Sequence, residues 1–165
     1  MKYQSFLIVF LLMLGFSIPT TSVFANEIPR FASLSSDKVY LRAGPGKQYP
    51  VKWIYKREGY PIEIVREFDH WRKIRDRDGH TGWVYKGLLT SKRTVIVSMP
   101  GLEQTSLWLK RNDDPEAQKI ARVESGAILF LKECNQGWCR GSAQGITGWI
   151  ERKYLWGIYE TEIIE

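Results

Sequence analysis

The chain is 165 residues long, 44% hydrophobic and 25% charged, with a formal net charge of +6. That length allows one domain or two small ones, and the composition is that of a globular protein rather than a disordered one. The first 25 residues stand apart from any such fold. Lys2 supplies a positive start, FLIVFLLMLGF (6–16) an apolar segment, and Val23-Phe24-Ala25 a small-residue cleavage site, the pattern of a secretory signal. The apolar run falls short of the ~20 residues that a permanent membrane helix needs, a retained anchor being the alternative. No cysteine lies near the cleavage site to carry a lipid. The mature chain is therefore expected to begin near Asn26 and to be exported, periplasmic or secreted, with no retained transmembrane segment.

Charge is unevenly placed in that mature chain. Residues 26–97 hold 15 basic and 8 acidic side chains, whereas residues 98–165 hold 8 and 10. A basic half suits nucleic acid, anionic lipid or an acidic polymer, and export argues against nucleic acid. A solvated basic surface with no ligand is the plainer alternative.

After the signal, short β-rich runs separated by turn residues replace helical periodicity, the pattern of a small all-β barrel or sandwich. Strands are expected at 38–42 (KVYLR), 51–56 (VKWIYK), 62–68 (IEIVREF), 71–75 (WRKIR) and 81–85 (TGWVY). The loop AGPGKQYP (43–50) is irregular because of its glycines and prolines, and KGLL (86–89) reads as one 3₁₀ turn. The order then recurs 67 residues later: Trp53 falls on Ile120, Gly59 on Gly126, Ile62 on Leu129, Ile64 on Leu131 and Trp71 on Trp138. The offset drops to 66 at Gly82/Gly148 and Trp83/Trp149. The first-strand match is looser: SLWLK (106–110) stands for KVYLR, and NDDPEA (112–117) replaces the Gly-Pro loop. TVIV (94–97) and WGIY (156–159) read as closing strands, which gives a first unit at 29–97, a linker at 98–104 and a second unit at 105–159. A unit of this size has a marginal core alone. Either the two units pack on one another, or they are independent beads.

Cys134 and Cys139 bracket Asn-Gln-Gly-Trp. A two-residue turn at Gln136-Gly137 sets Cys134 opposite Cys139 at a non-hydrogen-bonded pair, where Cα atoms approach to about 4.5 Å. Export supplies an oxidising compartment, so a disulfide is expected. The equivalent positions in the first copy are Glu67 and Arg72, an opposite-charge pair. A redox or metal role is the alternative, but the spacing is not Cys-x-x-Cys and no histidine falls in this half.

VYLRAGPGKQYP (39–50) resembles the Leu-Arg-x-Gly-Pro-Gly opening of bacterial SH3-like domains, and HTGWV (80–84) and ITGWI (146–150) resemble that family's Gly-Trp strand. The resemblance covers residues 29–159. It implies two tandem small SH3-like β-barrels of five strands each after the signal, no intrinsic catalysis and no cofactor. It also implies peptidoglycan, envelope peptides or envelope proteins as candidate partners. The second copy departs from the family in lacking the Gly-Pro-Gly loop. Trp71 and Trp138 match the position of the groove tryptophan in eukaryotic SH3 domains. Tyr154 matches that groove's late tyrosine, for which the first copy offers Leu88.

Along WRKIR, alternation places Ile74 opposite Trp71, Lys73 and Arg75. If Ile74 enters the core, Trp71 faces outward beside two cations, and Lys47 and Tyr49 of the loop line the other side of a groove. Tyr40 and Trp138 complete the candidate binding residues. Aromatic faces suit sugars or apolar groups, and the cations suit carboxylates. The other possibility is that Trp71 folds down as a lid on the barrel. No catalytic or metal residues are expected. His70 and His80 lie in predicted turns, no Gly-x-Ser-x-Gly elbow occurs, and Asp76-Arg77-Asp78-Gly79 lacks the remaining ligands of a calcium loop.

Overall fold

A computed structural model describes residues 27–99, 101 and 106–165. The expected signal at 1–25 and most of the expected linker at 98–104 lie outside the described residues. The first unit contains β1 (Arg30–Leu34), β2 (Val39–Arg42), β3 (Val51–Tyr55), β4 (Pro61–Phe68), β5 (Trp71–Arg75), β6 (Thr81–Tyr85) and β7 (Leu89–Thr90). The second contains β8 (Thr94–Val97), β9 (Ser106–Lys110), β10 (Lys119–Glu124), β11 (Ile128–Cys134), β12 (Trp138–Ala143), β13 (Ile146–Glu151) and β14 (Leu155–Trp156). A 3₁₀ turn precedes the last strand of each unit, at Lys86–Leu88 and Arg152–Tyr154.

The protein is all-β, and the two seven-stranded sheets have the same strand order position for position: β3-β2-β6-β5-β4-β1-β7 and β10-β9-β13-β12-β11-β8-β14. Equivalent backbone bonds recur in both. Gly59 and Gly126 donate to Leu34 and Val97, Ser35 and Ser98 to Leu88 and Tyr154, and Lys86 and Arg152 to His70 and Gly137. Period-2 alternation builds each core. In the first, Leu34, Val39, Leu41, Ile62, Ile64, Ile74 and Val84 meet; in the second, Val95, Val97, Leu109, Val123, Leu129 and Ile150. Ile74 is fully buried, as the alternation of β5 requires.

Three expectations are corrected. Thr94–Val97 does not close the first unit. It pairs with β11 and β14 and so opens the second, as β1 opens the first by pairing with β4 and β7. Sheet membership therefore changes between Thr90 and Thr94. The sheets also have seven strands rather than five, because these opening strands and the short β7 and β14 join them. In register, Trp53 pairs with Leu41 and Ala121 with Leu109, so Trp53 corresponds to Ala121 rather than Ile120. The bulge is the same in both pairs, so the offset is 68 along these strands and falls to 67 only in the following turn, which is one residue shorter before Gly126 than before Gly59.

The two sheets meet along a polar and aromatic seam. Thr94 Oγ1 donates to the Gly59 carbonyl at 2.7 Å and lies 2.6 Å from Ser33 Oγ. Phe31 packs against Trp156 and Tyr159, with ring centroids 5.1 and 4.6 Å away. Tyr159 also donates to the buried Glu63 carboxylate at 2.9 Å, and Arg75 Nε donates to its other oxygen at 2.8 Å. The segment after β14 is fixed by Arg93, which pairs with Glu162 and donates to the Gly157 carbonyl, and by Arg152, which donates to the carbonyls of Tyr159, Glu160 and Glu162. Burial alone would raise the Glu162 carboxyl, but the bonds from Arg93 and from the Tyr159 amide outweigh it and hold the group below its ordinary value. A depressed carboxyl stabilises the fold above its unfolded pKa, and that contribution is lost as pH falls through the lower folded value. Acid titration is therefore expected to release this segment, read as loss of the Tyr159–Phe31 NOE, at a lower pH in wild type than in Arg93→Gln. No helix among the described residues is long and apolar enough to cross a membrane.

Candidate functional site

The outward residues of β2 alternate with its core residues Val39 and Leu41, so Tyr40 and Arg42 face away from the core. Together with Lys47, Trp71, Tyr85 and Leu88 they line a cleft of about 480 Å³. Trp71 is half-buried and meets Tyr85 edge-on at 5.9 Å, forming one wall rather than a lid sealed into the core. Arg42 organises the opposite wall: its Nη1 donates to the carbonyls of Lys47 and Tyr49 at 3.1 and 2.9 Å. That fixes the Gly-Pro loop, and its guanidinium also lies 5.7 Å from the Tyr40 ring centroid.

Tyr40, Lys47 and Trp71 thus meet in one cleft. Lys73, Arg75 and Tyr49 are not in its lining. The right-handed twist carries β5 away from the cleft as it runs on, so its first residue faces the cleft and the later ones face elsewhere. Lys73 stands between Arg66 and Trp83 on the outer face of the sheet, and Arg75 is engaged with Glu63. Tyr49 lies over Gly44, where an added Cβ would come within 2.4 Å of its ring.

The second unit holds the same cleft in different chemistry. Trp108, Lys110, Trp138, Glu151 and Tyr154 occupy the places of Tyr40, Arg42, Trp71, Tyr85 and Leu88, and Lys119 and Arg122 extend the wall of a cleft of about 640 Å³. Lys110 Nζ lies 5.6 Å from the Trp138 ring centroid, and Lys119 and Arg122 flank Trp108 at 5.6 and 5.7 Å. Such cation–ring contacts are worth about 0.5–1 kcal/mol each when exposed. The loop keeps its backbone course although its sequence has changed. Ala43→Pro50 and Tyr49→Gly46 amide-to-carbonyl bonds recur as Arg111→Gln118 and Ala117→Asp114. Lys110 reaches the Pro115 carbonyl just as Arg42 reaches that of Lys47. Arg42, Tyr85, Trp108, Lys110 and Glu151 are not among the binding residues expected from the sequence. The basic residue that ends each first strand, Arg42 and Lys110, was the signal available for two of them.

Cys134 and Cys139 pair in register across the β11–β12 hairpin, with Cα atoms 4.1 Å apart and the sulfurs bonded. Asn135 Oδ1 accepts from the Gly137 and Trp138 amides, at 3.0 and 2.8 Å, and shapes the turn. Glu67 and Arg72 hold the equivalent place in the first unit, Arg72 Nε lying 3.1 Å from the carboxylate. Closing so small a loop gives only about 2 kcal/mol. Cys134→Ser with Cys139→Ser should lower the free energy of unfolding by that much, read from the shift of the urea midpoint, and thiol labelling of unfolded wild-type protein should find no free sulfhydryl.

Asp76, Asp78 and His80 gather ligand-type atoms within 4.8 Å of one another. The buried Asp76 carboxylate is, however, already engaged. One oxygen accepts from the Asp78 and His80 amides at 3.0 and 2.8 Å, and the other meets the Tyr55 hydroxyl at 2.9 Å and His80 Nδ1 at 3.0 Å. These partners occupy its acceptor directions, so the cluster is a turn that ties β3, β5 and β6 together.

Comparison with known proteins agrees with this duplicated architecture. The family model for the bacterial SH3 domain matches residues 35–90 and 111–157, and the chain belongs to that family. The chain is also 27% identical over 131 residues to the Bacillus subtilis (strain 168) protein named "Putative N-acetylmuramoyl-L-alanine amidase YrvJ". The match covers 75% of this chain and 25% of that protein, so the chain spans about a quarter of that relative's length. Among solved structures, NlpC1 from Trichomonas vaginalis is 12% identical with a TM-score of 0.35, covering 79% of this chain and 46% of that one. An NlpC/P60 family protein from Bacillus cereus is 13% identical with a TM-score of 0.34, covering 76% and 55%.

Proposed function

We propose that this chain is a non-catalytic, exported binding or scaffolding protein of the cell envelope that recognises peptidoglycan or a wall peptide through its two clefts. The observation that carries this reading is the recurrence of one cleft, tryptophan-walled and lined with cations, at the same place in both units. Trp71 and Trp138 offer ring faces to a sugar or to an apolar side chain, while Arg42, Lys47 and Lys110 offer donors to the free carboxylates of stem peptides. The amidase relative supports a cell-wall setting, since the chain matches a part of it. The non-catalytic reading is supported by the occupied chemistry: His80 Nδ1 is held against Asp76, and both cysteines are bonded to each other.

Retention on purified peptidoglycan sacculi tests the reading. Wild type should sediment with the sacculi, and the Trp71→Ala, Trp138→Ala double variant should lose at least tenfold in affinity with its melting point little changed. Equal retention of both proteins would remove the clefts from consideration. A second reading, an accessory that targets or regulates a separate wall hydrolase, is favoured by the match to one quarter of an amidase. It predicts retention only when such a hydrolase co-purifies. A structural envelope protein without a ligand predicts no retention at all.

A further inference from the structure

We propose that the cleft on the other side of β5 is a second binding site, for a compact oxyanion such as a carboxylate or phosphate group. It measures about 430 Å³ and shares no lining residue with the Trp71 cleft. The chain itself keeps the two apart. Trp71, Tyr85 and Leu88 line the first cleft, while the next residue in each case, Arg72, Lys86 and Leu89, lines the second. Arg30 enters from β1 and Arg93 from just before β8, so four cations from separate segments meet over an apolar floor that includes Phe31 and Ile64.

Two carboxylates answer these four cations. Glu67 holds Arg30 Nη2 at 2.8 Å and Arg72 Nε at 3.1 Å through the same oxygen, and Glu162 holds Arg93. The two guanidiniums thus converge on Glu67, and an added oxyanion would be met by the donors that this carboxylate leaves free, Arg30 Nη1 among them. Lys86 makes no ion pair among the described residues, which leaves the cleft with an excess of positive charge. Arg30 Nη1 and Arg93 Nε are shielded from solvent and have no hydrogen-bond partner among the described residues. Buried donors without partners are rare and call for an explanation, of which a bound ion is one. Arginine forks suit the planar oxygens of carboxylates and the tetrahedral ones of phosphate, and a lysine adds a point charge to either. The site stands whether or not the Trp71 cleft binds the wall, because it shares no residue with that cleft.

The test is NMR titration of the whole protein with inorganic phosphate, with acetate and with chloride, at matched ionic strength so that screening is constant. Phosphate, acetate or both should shift the Arg72 and Arg93 Nε–H signals saturably, whereas chloride should not. A stronger response to phosphate assigns a phosphate-bearing ligand, and a stronger response to acetate a carboxylate. Lys86→Ala should weaken the response about tenfold, the effect of losing one close charge, and Lys86→Glu should abolish it. Lys86 is exposed, so both variants should keep the wild-type melting point. A response equal to that of chloride, or unchanged in Lys86→Glu, overturns the proposal.

Discussion

Asp76→Ala is expected to destabilise the first unit by on the order of 3 kcal/mol, the largest effect of any single polar side chain in it. The carboxylate is 3% exposed and gathers the Tyr55 hydroxyl, His80 Nδ1 and two backbone amides. Alanine would strand the Tyr55 hydroxyl inside the core and free the turn that joins β5 to β6. Urea unfolding followed by tryptophan fluorescence reads the loss, and Asp76→Asn, which keeps the acceptor oxygen, should recover part of it. An unchanged midpoint in Asp76→Ala would show that the turn is held by something else. Burial and the neighbouring Asp76 carboxylate push the Tyr55 phenol above its ordinary value. The stability present below the ordinary phenol pKa is accordingly lost as pH rises toward that raised value, and Asp76→Ala should flatten this alkaline limb.

Gly157→Ala should be nearly as damaging, and it acts on both units at once. Gly157 has φ +118°, a backbone region that a side chain rarely adopts, and it lies where the sheets touch. A Cβ there would meet the Thr94 carbonyl at 2.8 Å, Val95 Cα at 3.1 Å and Pro61 Cβ at 3.2 Å. Two of those atoms are backbone, which cannot swing aside. Left-handed strain of about 1–2 kcal/mol and overpacking of about 1–3 kcal/mol add together. The seam beside it contains the Thr94–Gly59 bond and the Phe31–Tyr159 contact. The expected result is therefore a single unfolding transition in wild type that separates into two in the variant, by calorimetry. One transition in both proteins, at the same temperature, would contradict it.

Much of the fold was legible because Val39 and Leu41 alternate with outward residues and Ile62, Ile64 and Ile74 fall at core positions of short runs bounded by turn residues, and because the Trp–Thr-Gly-Trp pattern occurs twice. The hairpin geometry around Gln136-Gly137 likewise placed Cys134 opposite Cys139 from residue count alone. RFASL escaped notice for a physical reason. Only Phe31, Ala32 and Leu34 are apolar, and Ser33 is buried because it bonds across the seam to Thr94, a partner 61 residues away. TVIV reads as a strand in the sequence, but its sheet does not follow from its residues. Its three apolar residues are consecutive and all four of its residues are buried, so it carries no alternation to show which neighbour it serves. The cleft was half legible. Trp71 and Tyr40 follow from alternation within a strand, whereas the turning away of Lys73 and Arg75 comes from twist, which no local pattern records.

The position of Thr94–Val97 bears on how the second copy behaves when cut from the first. In the sheet it lies between β11 and β14 and is hydrogen-bonded to both. A gene fragment that starts at Ser98 would remove this strand and leave an open slot lined by unpaired amides and carbonyls. Such a slot accepts a strand from another molecule, and four-residue apolar runs like the one removed are its natural filling. Strand exchange between copies, and not simple unfolding, is then the failure mode to look for in a shortened protein; a fragment starting at Ser91 keeps the slot filled from within.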